Sequence, residues 1–259
     1  MDRIEQKINK LRKLLKGMGS VVVACSGGID SSFLLKVAGD ELGEGAVSAT
    51  ALSEVYIKDD YRLVKKLVRR LGVRQIDFRI NLLGTKDFFS NSSNRCYFCK
   101  KEMFGELRKI AKAEKVNYIV DGTNQDDILE FRPGRKAIKE LGIMTPLVEA
   151  GFNKKDIRLL SRKMGLSGWE RPSSTCLATR VPCGEEINLR KLKMIEQGER
   201  FIKGLISEDL RLRHCQGDIA GIEVSRSDAK RLMNPRLKNR VEARLKKIGY
   251  NQISINVKI

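Results

Sequence analysis

The chain reads as an α/β protein in which a parallel sheet covered by helices is followed by a smaller α/β domain. Three observations carry this expectation. Short apolar, β-branched runs alternate with helical periods through most of the first 170 residues, as in strands joined by helical crossovers. A glycine-rich turn joins the first of these runs to the helix that follows it. The rhythm breaks over residues 166–182, which hold Gly168, Pro172 and Pro182, and a different order of elements follows. The expected domains are residues 1–170 and 175–259.

Each element has its own justification. Ile4, Ile8, Leu11, Leu14 and Leu15 recur at helical spacing, so residues 2–16 form an amphipathic helix. Residues 21–25 are a buried strand, and residues 30–42 a helix with Phe33, Leu34, Val37 and Ala38 inward. A strand over 46–52 precedes a helix over 58–71 that Gly72 closes, and a strand over 73–80 follows. Residues 100–114 read as a helix opening on Lys100-Lys101, 118–121 as a strand, and 152–164 as a helix. In the smaller domain a helix over 189–205 precedes strands at 210–214 and 219–224, joined by a Gln216-Gly217-Asp218 turn. Helices over 227–233 and 235–248 and an alternating strand over 252–257 complete it.

Composition narrows the function classes. With 41% hydrophobic and 32% charged residues the chain is globular, and its apolar runs are too short to cross a bilayer. The charged, helical N-terminus holds no signal-peptide core, so a cytoplasmic location is expected. Six cysteines are few for a disulfide scaffold of this length, and one histidine excludes multi-histidine metal sites. The net charge of +19, denser after residue 170, suits either an anionic partner or a lysine- and arginine-rich solvated surface.

The turn after the first strand is Ser26-Gly27-Gly28-Ile29-Asp30-Ser31-Ser32. Glycines allow close approach of backbone to an anion, and the helix N-terminus behind them presents N–H groups and a positive dipole end. Ser31 and Ser32 add hydroxyls. Asp30 would repel phosphate without a cation between them, so it is a candidate ligand for Mg²⁺. Neither Gly-Lys-Ser/Thr nor Gly-x-Gly-x-x-Gly is present, which excludes the two commonest phosphate loops.

Ser-Gly-Gly-x-Asp-Ser between a strand and a helix resembles the pyrophosphate-binding loop (PP-loop) of the ATP pyrophosphatase superfamily. That resemblance implies a Rossmann-like sheet of the adenine nucleotide alpha hydrolase type. It also implies adenylylation, in which ATP is split between its α- and β-phosphates. Cys96-Tyr97-Phe98-Cys99 is a further signal, since two thiolates at this spacing can bind one metal centre. So is Arg171-Pro172-Ser173-Ser174-Thr175-Cys176-Leu177-Ala178-Thr179-Arg180, with Cys183 just beyond. Together with residues 121–127 and 132–134, these stretches resemble the LarE family, the ATP-dependent sulfur transferases of nickel-pincer nucleotide biosynthesis.

Several expectations come from that resemblance. The small-molecule substrate would be pyridinium-3,5-biscarboxylic acid mononucleotide, whose carboxylates are adenylylated and become thiocarboxylates. Sulfur would come from an extra sulfide on a [4Fe-4S] cluster held by Cys96, Cys99 and Cys176, or from Cys176 itself, sacrificed to dehydroalanine. A zinc site on these cysteines with Cys183 is the bland alternative. ATP contacts would be the residues of the 26–32 loop with Ser53, Lys101, Gly122, Asp127 and Arg132. Substrate contacts would be Arg180, Glu199, Arg211, Arg213, Glu223 and Asp228. Arg211 and Arg213 lie two apart on a predicted strand and so share a face, where they could clamp a phosphate. The resemblance further implies a hexamer and a downstream nickel-inserting protein. Cys25, Cys183 and Cys215 are expected to be structural, and His214 a surface residue.

Two other enzymes share the ATP loop. A tRNA thiolase would suit the charge, but the chain shows no separate RNA-binding module or paired zinc ribbons, and nucleic acid is not the expected substrate. A synthetase using ammonia would need no cysteine cluster.

Overall fold

The computed structural model describes residues 3–129, 133–207 and 209–257. In chain order the first part contains α1 (Arg3–Met18), β1 (Val21–Ala24), α2 (Ile29–Leu42), β2 (Ala46–Leu52), α3 (Lys58–Leu71) and β3 (Arg74–Arg79). Then come α4 (Lys86–Phe89), α5 (Arg95–Ala113), β4 (Tyr118–Asp121), α6 (Gln125–Leu129), α7 (Gly134–Glu140), α8 (Pro146–Glu149) and α9 (Lys154–Lys163). The last part holds α10 (Leu189–Lys203), β5 (Arg211–Cys215), β6 (Ile219–Val224), α11 (Arg226–Leu232), α12 (Pro235–Ile248) and β7 (Gln252–Val257).

The first sheet has the order β3-β2-β1-β4 with every pairing parallel. The α/β class is as the sequence predicts, and β1 shows why. Val21 and Val23 join one apolar cluster, with Leu11, Leu15, Phe33, Leu34, Phe152 and Ile157. Val22 and Ala24 join another, with Val47, Phe104, Leu107 and Ile138. Both faces are covered, so the strand is apolar at every position and does not alternate. After β3 the chain crosses back to place β4 on the far side of β1. The strand order therefore reverses between β1 and β4, where a crevice opens beyond the carboxyl ends of these strands.

The second sheet has the order β5-β6-β7, antiparallel then parallel. Its core is Leu212, Ile222, Val224, Leu232, Val241, Leu245 and Tyr250. α10 packs closely on this core at Gly198, where a Cβ would stand 2.4 Å from Leu212 Cδ2.

The chain divides into two compact units, with the change between Ser173 and Ser174. The second unit also takes in Glu54–Ile57 and Leu83–Ser93, which the division at residues 170–175 assigns to the first domain. Long-range hydrogen bonds explain the difference: Leu177 N donates to Val55 O, Gly184 N to Asn91 O and Ile187 N to Phe89 O. Asn91, fully buried, donates its amide to Val181 O and Pro182 O.

Other differences are local. α5 begins at Arg95, five residues before the predicted start, so Cys96 and Cys99 lie on a helix. α9 begins at Lys154, behind a capping box of Asn153 and Asp156, and Phe152 is spent on the core. Within residues 166–182, where the rhythm of elements breaks, Leu177, Ala178 and Val181 are buried. Among the described residues no helix is long and apolar enough to cross a membrane.

Candidate functional site

The crevice beyond β1 and β4 is built from two close backbone approaches. Gly27 has φ +81°, and a Cβ there would stand 2.3 Å from the carbonyl oxygen of Asp60. A Cβ at Gly122, just after β4, would stand 2.8 Å from Ser31 N. Between them α2 begins. Gly28 is its N-cap and offers no side-chain cap, and the first intrahelical bond runs from Ser32 N to Gly28 O at 3.0 Å. The N–H groups of Ile29, Asp30 and Ser31 precede that bond, the arrangement at a helix N-terminus that receives an anion. Ser31 Oγ donates to Gly28 O at 3.1 Å and accepts from Ser26 N at 3.2 Å, which ties the turn together.

Asp30 stands in the first turn of α2. One of its carboxylate oxygens accepts from Lys154 Nζ at 3.0 Å; the other is buried and meets no hydrogen-bond donor among the described residues. Burial pushes the Asp30 carboxyl above its usual range, Lys154 pulls it back, and Asp127 pushes it up again. Such an oxygen fits a divalent cation, which would supply the missing partner. Lys154 N donates to Asp126 at 2.8 Å. Asn124, fully buried, accepts from Asp126 N, and its own N–H donates to Asp127 Oδ2 at 3.1 Å. α6 and α9 thus bring Asp127 and Lys154 to Asp30.

At the end of β4, burial alone would raise Asp121, yet Lys100 at 2.8 Å and two bonds from Thr123 hold its carboxyl below the usual range. This pair fixes α5 against the sheet. Of the expected ATP contacts, the 26–32 loop, Gly122 and Asp127 are gathered here. Ser53 follows the last residue of β2. Lys101 leans over the Tyr97 ring at 5.7 Å from its centroid. Arg132 lies outside the described residues. The sequence reading missed Lys154, Asn124 and Asp60, because each acts through a partner distant in sequence. The Asn153-x-x-Asp156 capping pattern was the one available signal for where α9, and with it Lys154, begins.

Cys96 and Cys99 sit one turn apart at the start of α5, the first exposed and the second half-buried. They are neighbours on one helix face, so their donor chemistry fits two thiolates of one metal centre. Among the described residues no three His, Cys, Asp or Glu side chains are gathered where they could hold one metal ion. The six cysteines form no disulfide.

In the second unit Cys176 is the N-cap of a 3-10 turn over Leu177–Arg180. Arg180 underlies this turn and is 2% exposed. It forks onto Glu199 at 3.0 and 3.1 Å, and its remaining terminal nitrogen donates to Thr175 O, Cys176 O and Thr179 Oγ1. Glu199, although buried, is held below its usual range by Arg180 and Lys203, and it also accepts from Leu212 N. These contacts make Arg180 and Glu199 the support of the Cys176 turn, a role the sequence reading did not assign them.

Arg211 and Arg213 do share a face of β5, opposite buried Leu212 and His214. Arg213 donates to Glu223 Oε1 at 2.8 Å and to Thr179 O. Asp228 is buried as the third residue of α11, where it is bonded to the N-cap Ser225 and to Arg231. His214 is not on the surface: it is 1% exposed against Tyr250, and burial lowers its pKa. Cys25 is buried, Cys183 Sγ approaches Asn91 O at 3.4 Å, and burial pushes the Cys25 and Cys215 thiols up.

Comparison with known proteins agrees with this geometry. The family model described as NAD synthase matches residues 2–128, which contain the β1–α2 loop. An uncharacterised protein of Synechocystis, slr1717, is 35% identical over 85% of this chain and 82% of its own. Another, MJ0830 of Methanocaldococcus jannaschii, is 31% identical over 97% of this chain and 94% of its own. The pyridinium-3,5-bisthiocarboxylic acid mononucleotide synthase of Lactiplantibacillus plantarum is 29% identical over 94% of this chain and 87% of its own.

Proposed function

Because this chain belongs to the LarE family of PP-loop proteins, we propose that it is an ATP-dependent sulfur transferase acting on pyridinium-3,5-biscarboxylic acid mononucleotide. The observation that carries the ATP half is the crevice between β1 and β4, with α2 uncapped behind Gly27 and Gly28 and one oxygen of Asp30 buried without a donor. The substrate half rests on the 29% identity to the bisthiocarboxylic acid mononucleotide synthase.

The residues divide the work as follows. The N–H groups at the start of α2 and the hydroxyls of Ser26 and Ser32 bind the pyrophosphate portion of ATP, while the Ser31 hydroxyl holds the turn. Asp30, with Asp127, would hold Mg²⁺, which offsets phosphate charge and polarises the α-phosphate. Lys154 keeps the Asp30 carboxylate aimed at that position. A substrate carboxylate oxygen attacks the α-phosphorus, pyrophosphate leaves, and a mixed acyl-phosphate anhydride remains. A sulfur nucleophile then adds to the acyl carbon and AMP departs, leaving the thiocarboxylate.

Cys96, Cys99 and Cys176 would hold a [4Fe-4S] cluster, which when bound supplies a transferable sulfide. Arg180 and Glu199 set the Cys176 turn, and Arg211 and Arg213, which share a face of β5, would receive the substrate phosphate. Sacrifice of the Cys176 sulfur is the second reading, in which the half-buried Cys176 thiol itself supplies the sulfur.

The test is pyrophosphate release from ATP with and without the dicarboxylate nucleotide, followed by mass analysis of nucleotide and protein. Release that depends on the nucleotide, with a thiocarboxylate product, is expected. Loss of the mass of H₂S at Cys176 would assign sacrifice. Release without any nucleotide dependence, or with an amide as product, would exclude the sulfur-transfer reading.

A further inference from the structure

Neither ATP nor a small dicarboxylate accounts for a net charge of +19, and part of that charge is laid out on one face of the second unit. On α12, Arg236, Lys238, Arg240, Arg244, Lys246 and Lys247 are all exposed. Arg236, Arg240 and Arg244 recur every four residues and Lys247 follows three later, so they form one stripe. At 1.5 Å per residue the stripe is roughly 16 Å long, with charges about 6 Å apart. The single carboxylate of α12, Glu242, lies 3.9 Å from Lys238. Among the described residues the four stripe cations make no salt bridge, whereas Arg190 on α10 is occupied by Asp218 at 2.7 and 3.1 Å.

Two further features adjoin the stripe. The guanidinium carbons of Arg240 and Arg244 each lie 5.8 Å from the centroid of Phe201 on α10, so one ring holds both side chains in place. Against the start of α10 and the end of α12 a cleft of about 400 Å³ opens, lined by Leu189, Arg190, Lys193, Met194, Gln197 and Ile248. Three of these residues are apolar. Lys193 and Gln197, both exposed, add polar donors at the rim. The size lies within the range of small-ligand clefts.

We propose that this α10–α12 face binds single-stranded nucleic acid, with successive backbone phosphates on the Arg236, Arg240, Arg244 and Lys247 stripe and a base in the cleft. A linear row of cations suits a chain of phosphates. A mixed apolar and amide cleft beside it suits a flat heterocycle, which a polyphosphate lacks. A membrane-surface helix would pair its cations with exposed large apolar side chains along its own length; α12 carries none of those described, and the exposed Leu189 stands at the cleft on α10.

The test is fluorescence anisotropy of a labelled 12-nucleotide single-stranded RNA with the full chain between 50 and 200 mM salt. Four phosphate contacts give a log–log salt slope of about −3. R240E/R244E is expected to weaken binding at least tenfold and to flatten the slope. R236E/K247E, which leaves the Phe201 contacts alone, is expected to do the same. K66E/R69E on α3, with the same charge change, is expected to stay within twofold. An abasic strand of equal length is expected to bind several-fold more weakly. Absence of RNA binding, equal losses in the α3 variant, or retention by both α12 variants would overturn the proposal. Equal affinity per phosphate for the abasic strand or inorganic polyphosphate, or binding to anionic vesicles in place of RNA, would overturn the nucleic-acid assignment.

Discussion

Replacing Gly27 by alanine tests whether the β1–α2 loop is shaped by contact with Asp60. The new Cβ would stand 2.3 Å from Asp60 O and 2.8 Å from Asp60 C, both backbone atoms that no rotamer change can move. Reaching ordinary contact at about 3.5 Å displaces the loop by roughly 1 Å. The residue must also keep φ +81°, which costs an L-residue about 1–2 kcal/mol. Overpacking adds about 1–3 kcal/mol, so a total loss of roughly 2–5 kcal/mol of stability is expected. A shift of this size in phosphate-binding groups is expected to lower pyrophosphate release by about 10²-fold. Gly28→Ala is the internal control for stability, because its Cβ would meet only Ser26 Oγ at 3.4 Å and its φ is −71°. Urea denaturation, ATP titration calorimetry and a pyrophosphate assay on both variants decide the matter. If Gly27→Ala matches the parent in stability and ATP affinity, or Gly28→Ala is the more damaged fold, the steric argument fails.

Four further outcomes are expected. Lys154→Met removes the cation beside Asp30, so pyrophosphate release should fall at least tenfold while the melting temperature changes little; Lys154→Arg should recover part of the activity. Arg180→Met leaves Glu199 buried without its fork and should cost about 3–5 kcal/mol in urea denaturation, much of it recovered in the double variant with Glu199→Gln. His214 is held below its ordinary pKa by burial, with Asp218 opposing. Its contribution to stability is therefore complete above about pH 6.5 and is lost as pH falls through the depressed folded value; His214→Phe should remove that part of the acid-side slope in thermal melts. Anaerobically purified protein should show broad visible absorption that Cys96→Ala or Cys99→Ala abolishes, and a colourless parent with one equivalent of zinc would refute the cluster.

Much of the fold was legible because it follows from local rules. The β-branched run at residues 21–25, the glycines behind it and the apolar period of residues 30–42 each state their own conformation, and together they state a phosphate loop at a strand–helix junction. The short helices α4, α6 and α8 were missed, since four or five residues carry too little periodicity to register. The start of α5 was missed because Arg95-Cys96-Tyr97-Phe98-Cys99 carries no helical stripe of its own, and it is Lys100 reaching Asp121 that seats the helix.

By itself the sequence determined the α/β class, the anion-binding loop from Ser26 to Ser32, and the pairing of Cys96 with Cys99, because each depends on residues adjacent in the chain or one turn apart. Tertiary structure alone decided what those groups meet. It placed Lys154 on Asp30 across 124 positions, spent Arg180 and Glu199 on supporting the Cys176 turn, buried His214, and drew Glu54–Ile57 and Leu83–Ser93 into the second unit. A buried charge or polar group must find its partner wherever the fold brings one, and no local pattern encodes which distant residue that will be.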